Sequence, residues 1–78
     1  MKSHKQYKPI LGELGQMIYR TRILKNFTAK EIAPMISLTP EAYRNIEKGA
    51  CDVSFTTLLS ISKVLEIDFS EMVKTLSV

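Results

Sequence analysis

The sequence predicts an all-α fold, a compact single domain of five helices. Three observations predict it. Apolar residues recur at i, i+3, i+4 spacing in five segments, and no segment alternates as a strand does. A helix-capping residue, Thr28, Thr39, Ser54 or Asp68, stands just ahead of each of the last four segments. Between the second and third segments there are only the three residues Ile36-Ser37-Leu38. With 78 residues, 45% of them hydrophobic, the chain holds one small core.

Helix one is expected from about Pro9 to Lys25, because proline suits a first helical position, where its missing N–H has no intrahelical partner. Leu11, Leu14 and Ile18 make its apolar stripe. Gly12 and Gly15 cost helix propensity there and are read as points of close packing. Asn26 suits the left-handed conformation that ends a helix. Residues 1–8 are expected as a flexible basic arm ahead of the domain 9–78.

Helix two opens at Thr28, with Glu31 three residues on, the spacing of a capping box. Ile32, Ala33, Met35 and Ile36 are its expected buried side. Pro34 removes a hydrogen bond and clashes with the preceding turn at a cost of roughly 3 kcal/mol, so this helix should be short or kinked. Helix three opens at Thr39, with Pro40 first and Glu41 near the positive end of the dipole, and Gly49 ends it. Tyr43 and Ile46 should face inward. Helix four runs from Ser54 to about Leu65, with Phe55, Leu58, Leu59, Ile61 and Leu65 apolar. Helix five opens at Asp68, with Glu71 as a second capping box, and should bury Phe69, Met72, Val73 and Leu76.

Two charges interrupt these stripes. Leu11–Leu14–Ile18 continues at Arg22, and Tyr43–Ile46 continues at Glu47. An unpaired buried charge costs several kcal/mol, so the opposite signs predict a partly buried ion pair joining helix one to helix three. The alternative is two side chains reaching water independently.

Charge is also unevenly spread. Residues 1–30 carry Lys2, Lys5, Lys8, Arg20, Arg22, Lys25 and Lys30 against Glu13 alone, a net +6, while residues 31–78 carry a net −3. A basic end suits an acidic partner such as a phosphate backbone, or is simply a solvated tail. Cys51, the one cysteine, fits a reducing compartment and forms no disulfide framework. No apolar run reaches a membrane span of roughly 18 residues. The polar start MKSHKQYKP lacks the apolar stretch of a secretory signal, and a cytoplasmic location is expected. His4 reads as a tail residue rather than a metal ligand. Without metal-ligand spacing, a Cys–His neighbourhood or a phosphate-cradling glycine loop, neither an enzyme nor a cofactor is expected.

Two helices joined by so tight a turn are the local signature of a helix-turn-helix. Residues 14–72 resemble the lambda-repressor-like helix-turn-helix domains, the Cro/XRE class of small bacterial and phage regulators. The resemblance rests on Gly15-x-x-Ile18 with Arg22, on Thr28 with Glu31-Ile32-Ala33, and on Thr39, Tyr43 and Ile46-Glu47-x-Gly49. It continues through Ser54, Leu58, Ile61 and Leu65 to Ile67-Asp68-Phe69-x-Glu71-Met72. It implies an Arg22–Glu47 pair, as the interrupted stripes do.

The resemblance further implies a dimeric, sequence-specific regulator of transcription, a repressor, with helix 39–48 in the major groove of double-stranded DNA. Thr39, Pro40, Glu41, Arg44 and Asn45 would face base edges. Thr28, Ala29, Lys30 and Lys48 would meet phosphates, joined by Lys5 and Lys8 of the arm. Arginine suits guanine and asparagine suits adenine. Glu41 has two readings, an acceptor for cytosine N4 or a dipole partner that repels phosphate. Tyr7 and Tyr19 likewise bind phosphate or pack.

Several positions depart from the family pattern. Ala29 stands where glutamine is frequent, Pro40 where a polar reader is frequent, Ser37 and Glu66 at glycine positions, and Asp52 in a loop that usually meets phosphate. Ala29, Pro40, Glu41 and Asp52 favour a second reading, a protein-interaction module such as an antitoxin, with weak DNA binding. A homodimer through the C-terminal helix is expected from Phe69, Met72, Val73, Leu76 and Val78. No sensor domain is expected, so a signal would come from a partner or from abundance.

Overall fold

The computed structural model describes the backbone of residues 2–76 and the side chains of residues 11–74. Among these residues there are five α-helices and no strand. They are α1 (Lys2–Leu24), α2 (Ala29–Met35), α3 (Pro40–Glu47), α4 (Phe55–Leu65) and α5 (Phe69–Leu76). α1 lies against α3, α4 and α5, and α2 packs on α3.

The helix starts are set by side chains. Thr28 Oγ1 accepts from the Glu31 N–H at 3.0 Å and Glu31 Oε1 accepts from the Thr28 N–H at 2.8 Å, a complete capping box. Thr39 accepts from Ala42 N–H and Ser54 from Thr57 N–H. The first four helices end alike. Asn26, Ser37, Gly49 and Glu66 each hold positive φ, at 64°, 60°, 69° and 58°. The residue after each donates its N–H five residues back, Phe27 to Arg22, Leu38 to Ala33, Ala50 to Asn45 and Ile67 to Ser62. This is the Schellman closure, in which the left-handed residue turns the chain and orphan carbonyls gain donors. Only one of the four is glycine.

The core comprises Leu14 and Ile18 from α1, Ile32 and Ala33 from α2, Tyr43 and Ile46 from α3, Leu58, Ile61 and Leu65 from α4, and Met72 from α5, with Ile36 beside them. Gly15 permits a close approach of α1 to α3, because a Cβ there would collide with the carbonyl oxygen of Glu47 and lie 2.6 Å from that of Ile46.

Some expectations need correction. α1 begins at Lys2, well ahead of the expected start at Pro9. The lysines and glutamine ahead of Pro9 are good helix formers, and the helix runs on through the proline. α1 ends at Leu24, one residue early. Met35 is exposed, because α2 ends there, directly after Pro34. Phe55 is exposed as the first residue of α4, its ring edge-on to Phe69 with centroids 5.3 Å apart. Val73 is exposed too. α5 has no capping box of the expected kind. Asp68 Oδ1 accepts from the N–H and hydroxyl of Ser70, and the carboxylate of Glu71 takes Lys74 at 3.3 Å. The side chains of Leu76 and Val78 lie outside the described residues.

Candidate nucleic-acid interface

α3 has two distinct sides. Its inner side is fixed by Tyr43 and Ile46 in the core and by Glu47. Arg22 Nε donates to Glu47 Oε2 at 2.6 Å and Nη2 donates to Oε1 at 3.1 Å. Both side chains are largely buried, which excludes water from this bidentate contact. The third guanidinium nitrogen, Nη1, donates to the Phe27 carbonyl at 2.8 Å, tying in the turn between α1 and α2. The Tyr43 hydroxyl donates to Glu47 Oε2, and the Tyr19 ring stacks against the guanidinium at 5.3 Å.

These contacts shift ionisation. The hydrogen bonds that Arg22 donates to Glu47 raise the Arg22 pKa above its ordinary value. Burial, reinforced by the hydrogen bond to Glu47, pushes the Tyr43 phenol far above its ordinary value. Both groups are therefore held protonated, and the network is a cation, a carboxylate and a neutral phenol with every polar atom satisfied. No buried side-chain nitrogen or oxygen among the described residues lacks a partner.

Tyr43, Tyr19 and the Phe27 carbonyl did not enter the ion pair read from the sequence. Tyr43 was legible there, since it stands four residues before Glu47 on one helix face. The Phe27 carbonyl was not, because its direction depends on the left-handed turn at Asn26.

The outer side of α3 faces solvent. Glu41, Arg44 and Lys48 are exposed and Asn45 is half-buried. These four positions recur at i, i+3, i+4 and i+7, so they form one face. None of their side chains enters a hydrogen bond or ion pair among the described residues. Thr39 is exposed but its hydroxyl already caps α3, and Pro40 is half-buried at the first position.

At α2, Thr28 and Lys30 are exposed while the Ala29 side chain is buried against the core. The N–H groups of Ala29 and Lys30 fall in the first turn and have no intrahelical acceptor. Lys5 and Lys8 lie on α1, with side chains outside the described residues, as are those of His4 and Tyr7. Asp52 is exposed in the loop after α3. Lys25 Nζ donates to Glu66 Oε1 at 2.6 Å, and this exposed contact lowers the Glu66 pKa.

Among the described residues, no three His, Cys, Asp or Glu side chains gather as a metal site. No helix among them is long and apolar enough to cross a membrane.

Two comparisons bear on this arrangement. A search of curated proteins finds no match. The helix-turn-helix family model matches residues 18–72, from the core stripe of α1 through the buried Met72 of α5. That family comprises DNA-binding regulatory domains rather than catalysts. The match covers well over half the chain and both helices of the motif, and the chain belongs to the lambda-repressor/Cro/XRE-type helix-turn-helix family.

Proposed function

We propose that the protein is a sequence-specific double-stranded DNA-binding regulator of transcription, a repressor, acting in the bacterial cytoplasm as a homodimer. The observation that carries this reading is the two-sided α3. Its inner side is held by a buried bidentate ion pair, while Arg44, Asn45 and Lys48 on its outer side have no partner among the described residues.

In this reading helix 39–48 enters the major groove. Arg44 and Asn45 are the principal base readers, guanine and adenine being the bases they pair with bidentately. Thr39, Pro40 and Glu41 line the entry end, where Pro40 offers only apolar contact. Thr28, Ala29 and Lys30 meet the backbone, with Ala29 acting through its N–H alone, and Lys48 meets it from the end of α3. The stretch 1–8 serves the domain 9–78 as a basic arm, with Lys5 and Lys8 neutralising phosphates. The exposed Val73 supports pairing of two copies through the C-terminal helix.

A second reading has its own support. Asp52 and Glu41 are both exposed, and carboxylates there oppose phosphate. A protein-interaction module with weak DNA binding, as in an antitoxin, accounts for them.

Fluorescence-anisotropy titration with random duplex DNA at several salt concentrations, followed by sequencing of the bound fraction, separates the two. Tight binding that weakens steeply with salt and enriches a palindrome is the expected result. Weak binding with no enriched sequence would reject the operator reading.

A further inference from the structure

The solvent face of α1 carries a patch that neither the core nor α3 uses. Tyr19 is 48% exposed, Ile23 48% and Leu24 82%. With Arg20 they line a shallow groove of about 300 Å³. Positions 19, 20, 23 and 24 fall on the side of the helix away from the buried Ile18 and Arg22. The patch is contiguous, whereas the exposed Phe55 is partly covered by Phe69.

Its charge decides what fits it. From residue 14 to residue 30 the chain has Arg20, Arg22, Lys25 and Lys30 and no acidic residue. Arg22 is committed to Glu47 and Lys25 to Glu66. Arg20, lying among the three apolar side chains, has no ion pair among the described residues. A neutral apolar occupant would leave that guanidinium without a counter-charge at the contact, whereas a carboxylate would supply one. A two-fold contact between two copies of this face would bring Arg20 towards its own symmetry mate, since such interfaces oppose the same patch to itself.

We propose that this face of α1 is a docking surface for an acidic amphipathic helix of a partner protein. Such a helix sets apolar residues at i, i+3 or i+4 against Tyr19, Ile23 and Leu24, and places a carboxylate on Arg20. The Tyr19 ring that lines the groove also stacks on Arg22, so the occupant would adjoin the ion pair that holds α3. The inference is independent of DNA binding, and its test contains no DNA.

The test is selection from a displayed library of randomised helical peptides against the full chain, with counter-selection against Leu24→Asp. Leu24 and Arg20 are both exposed, and circular dichroism checks that their variants keep the fold. Enriched peptides are expected to combine carboxylates with apolar residues at helical spacing. A synthetic copy should bind Leu24→Asp and Arg20→Glu about tenfold or more weakly. Changing its carboxylate to lysine should restore binding to Arg20→Glu. No enrichment, enrichment of neutral or basic peptides, or binding indifferent to both substitutions would overturn the proposal. So would self-association of the wild-type chain that Leu24→Asp abolishes, which assigns the face to a second copy. Co-sedimentation with phosphatidylserine-containing vesicles that Leu24→Asp abolishes, with no peptide enriched, would assign it to a membrane surface and equally overturn the proposal.

Discussion

Gly15 of α1 lies directly against the carbonyl oxygen of Glu47 at the end of α3, at a separation that no Cβ could occupy. The obstacle is backbone, which cannot swing aside as a flexible side chain would. Alanine is normally better than glycine inside a helix by about 0.5–1 kcal/mol. At position 15 overlap should outweigh propensity, and Gly15→Ala should destabilise by about 2 kcal/mol, within the usual range for overpacking. Gly12 supplies the control, because an added Cβ meets nothing within 4 Å there. Gly12→Ala should therefore gain about 0.5–1 kcal/mol. Urea unfolding of the two variants should move in opposite directions.

Glu47 is also held through its side chain, and that contact has its own test. Breaking a largely buried bidentate pair leaves one charge desolvated and alone. Arg22→Ala and Glu47→Ala should each cost about 3 kcal/mol. The double variant removes both charges and should cost less than the sum, with a coupling of about 1–3 kcal/mol by denaturant unfolding. Strict additivity would mean that the two side chains act independently.

Much of this was legible in the sequence for a simple reason. Helix periodicity and caps are local, so Thr28, Thr39 and Ser54 marked three helix starts correctly. Arg22 and Glu47 stood out because each broke an apolar stripe, and opposite signs suggested where the other was. What failed was local pattern overruled by position in the fold. Phe55 and Val73 satisfy a helical spacing, yet neither faces the interior. Pro9 read as a helix start because N1 suits proline, but α1 runs through it from Lys2. Of the candidate interface, the outward residues of α3 followed from the family resemblance, position by position, while spacing marked only the inward Tyr43 and Ile46. The patch on α1 was not, because nothing local distinguishes an apolar residue that faces water from one that faces the core.

The helix ends predict an improvement. Ser37 and Glu66 hold left-handed backbone, where a Cβ is strained by about 1 kcal/mol or more. Ser37→Gly should stabilise the fold by about 0.5–1 kcal/mol after the extra freedom of glycine in the unfolded chain is subtracted. Glu66→Gly should gain less, because it also removes the contact with Lys25. Thermal melts of both variants would show whether the Schellman closures are strained.

Tyr43 ties stability to alkaline pH. Its phenol is raised above the ordinary value of 10.0, chiefly by burial and then by the hydrogen bond to Glu47. A raised folded-state pKa gives stability that is fully present below the unfolded value. It is lost as pH rises beyond it, because the unfolded chain releases the proton first. Above about pH 10 this one group should cost up to about 1.4 kcal/mol per pH unit. Tyr43→Phe should lose about 1 kcal/mol at neutral pH with the hydrogen bond. It should also flatten the alkaline decline relative to the wild type. Parallel curves in urea unfolding across that range would show that Tyr43 ionises equally in both states.

The outer face of α3 separates reading from attraction. Base contacts carry sequence information and phosphate contacts do not. On an enriched duplex, Arg44→Ala and Asn45→Ala should each lose about 1–3 kcal/mol and relax preference at one position of each half-site. Lys48→Ala should weaken all duplexes about equally and reduce the salt slope by about 1. Glu41→Gln distinguishes that residue's two roles. If the carboxylate merely repels phosphate, its removal should tighten every duplex. If it accepts from cytosine, only the enriched sequence should lose affinity. Anisotropy titrations of the four variants against the enriched and a scrambled duplex, each at several salt concentrations, give all of these comparisons. A uniform loss for Arg44→Ala would move that residue from the bases to the backbone.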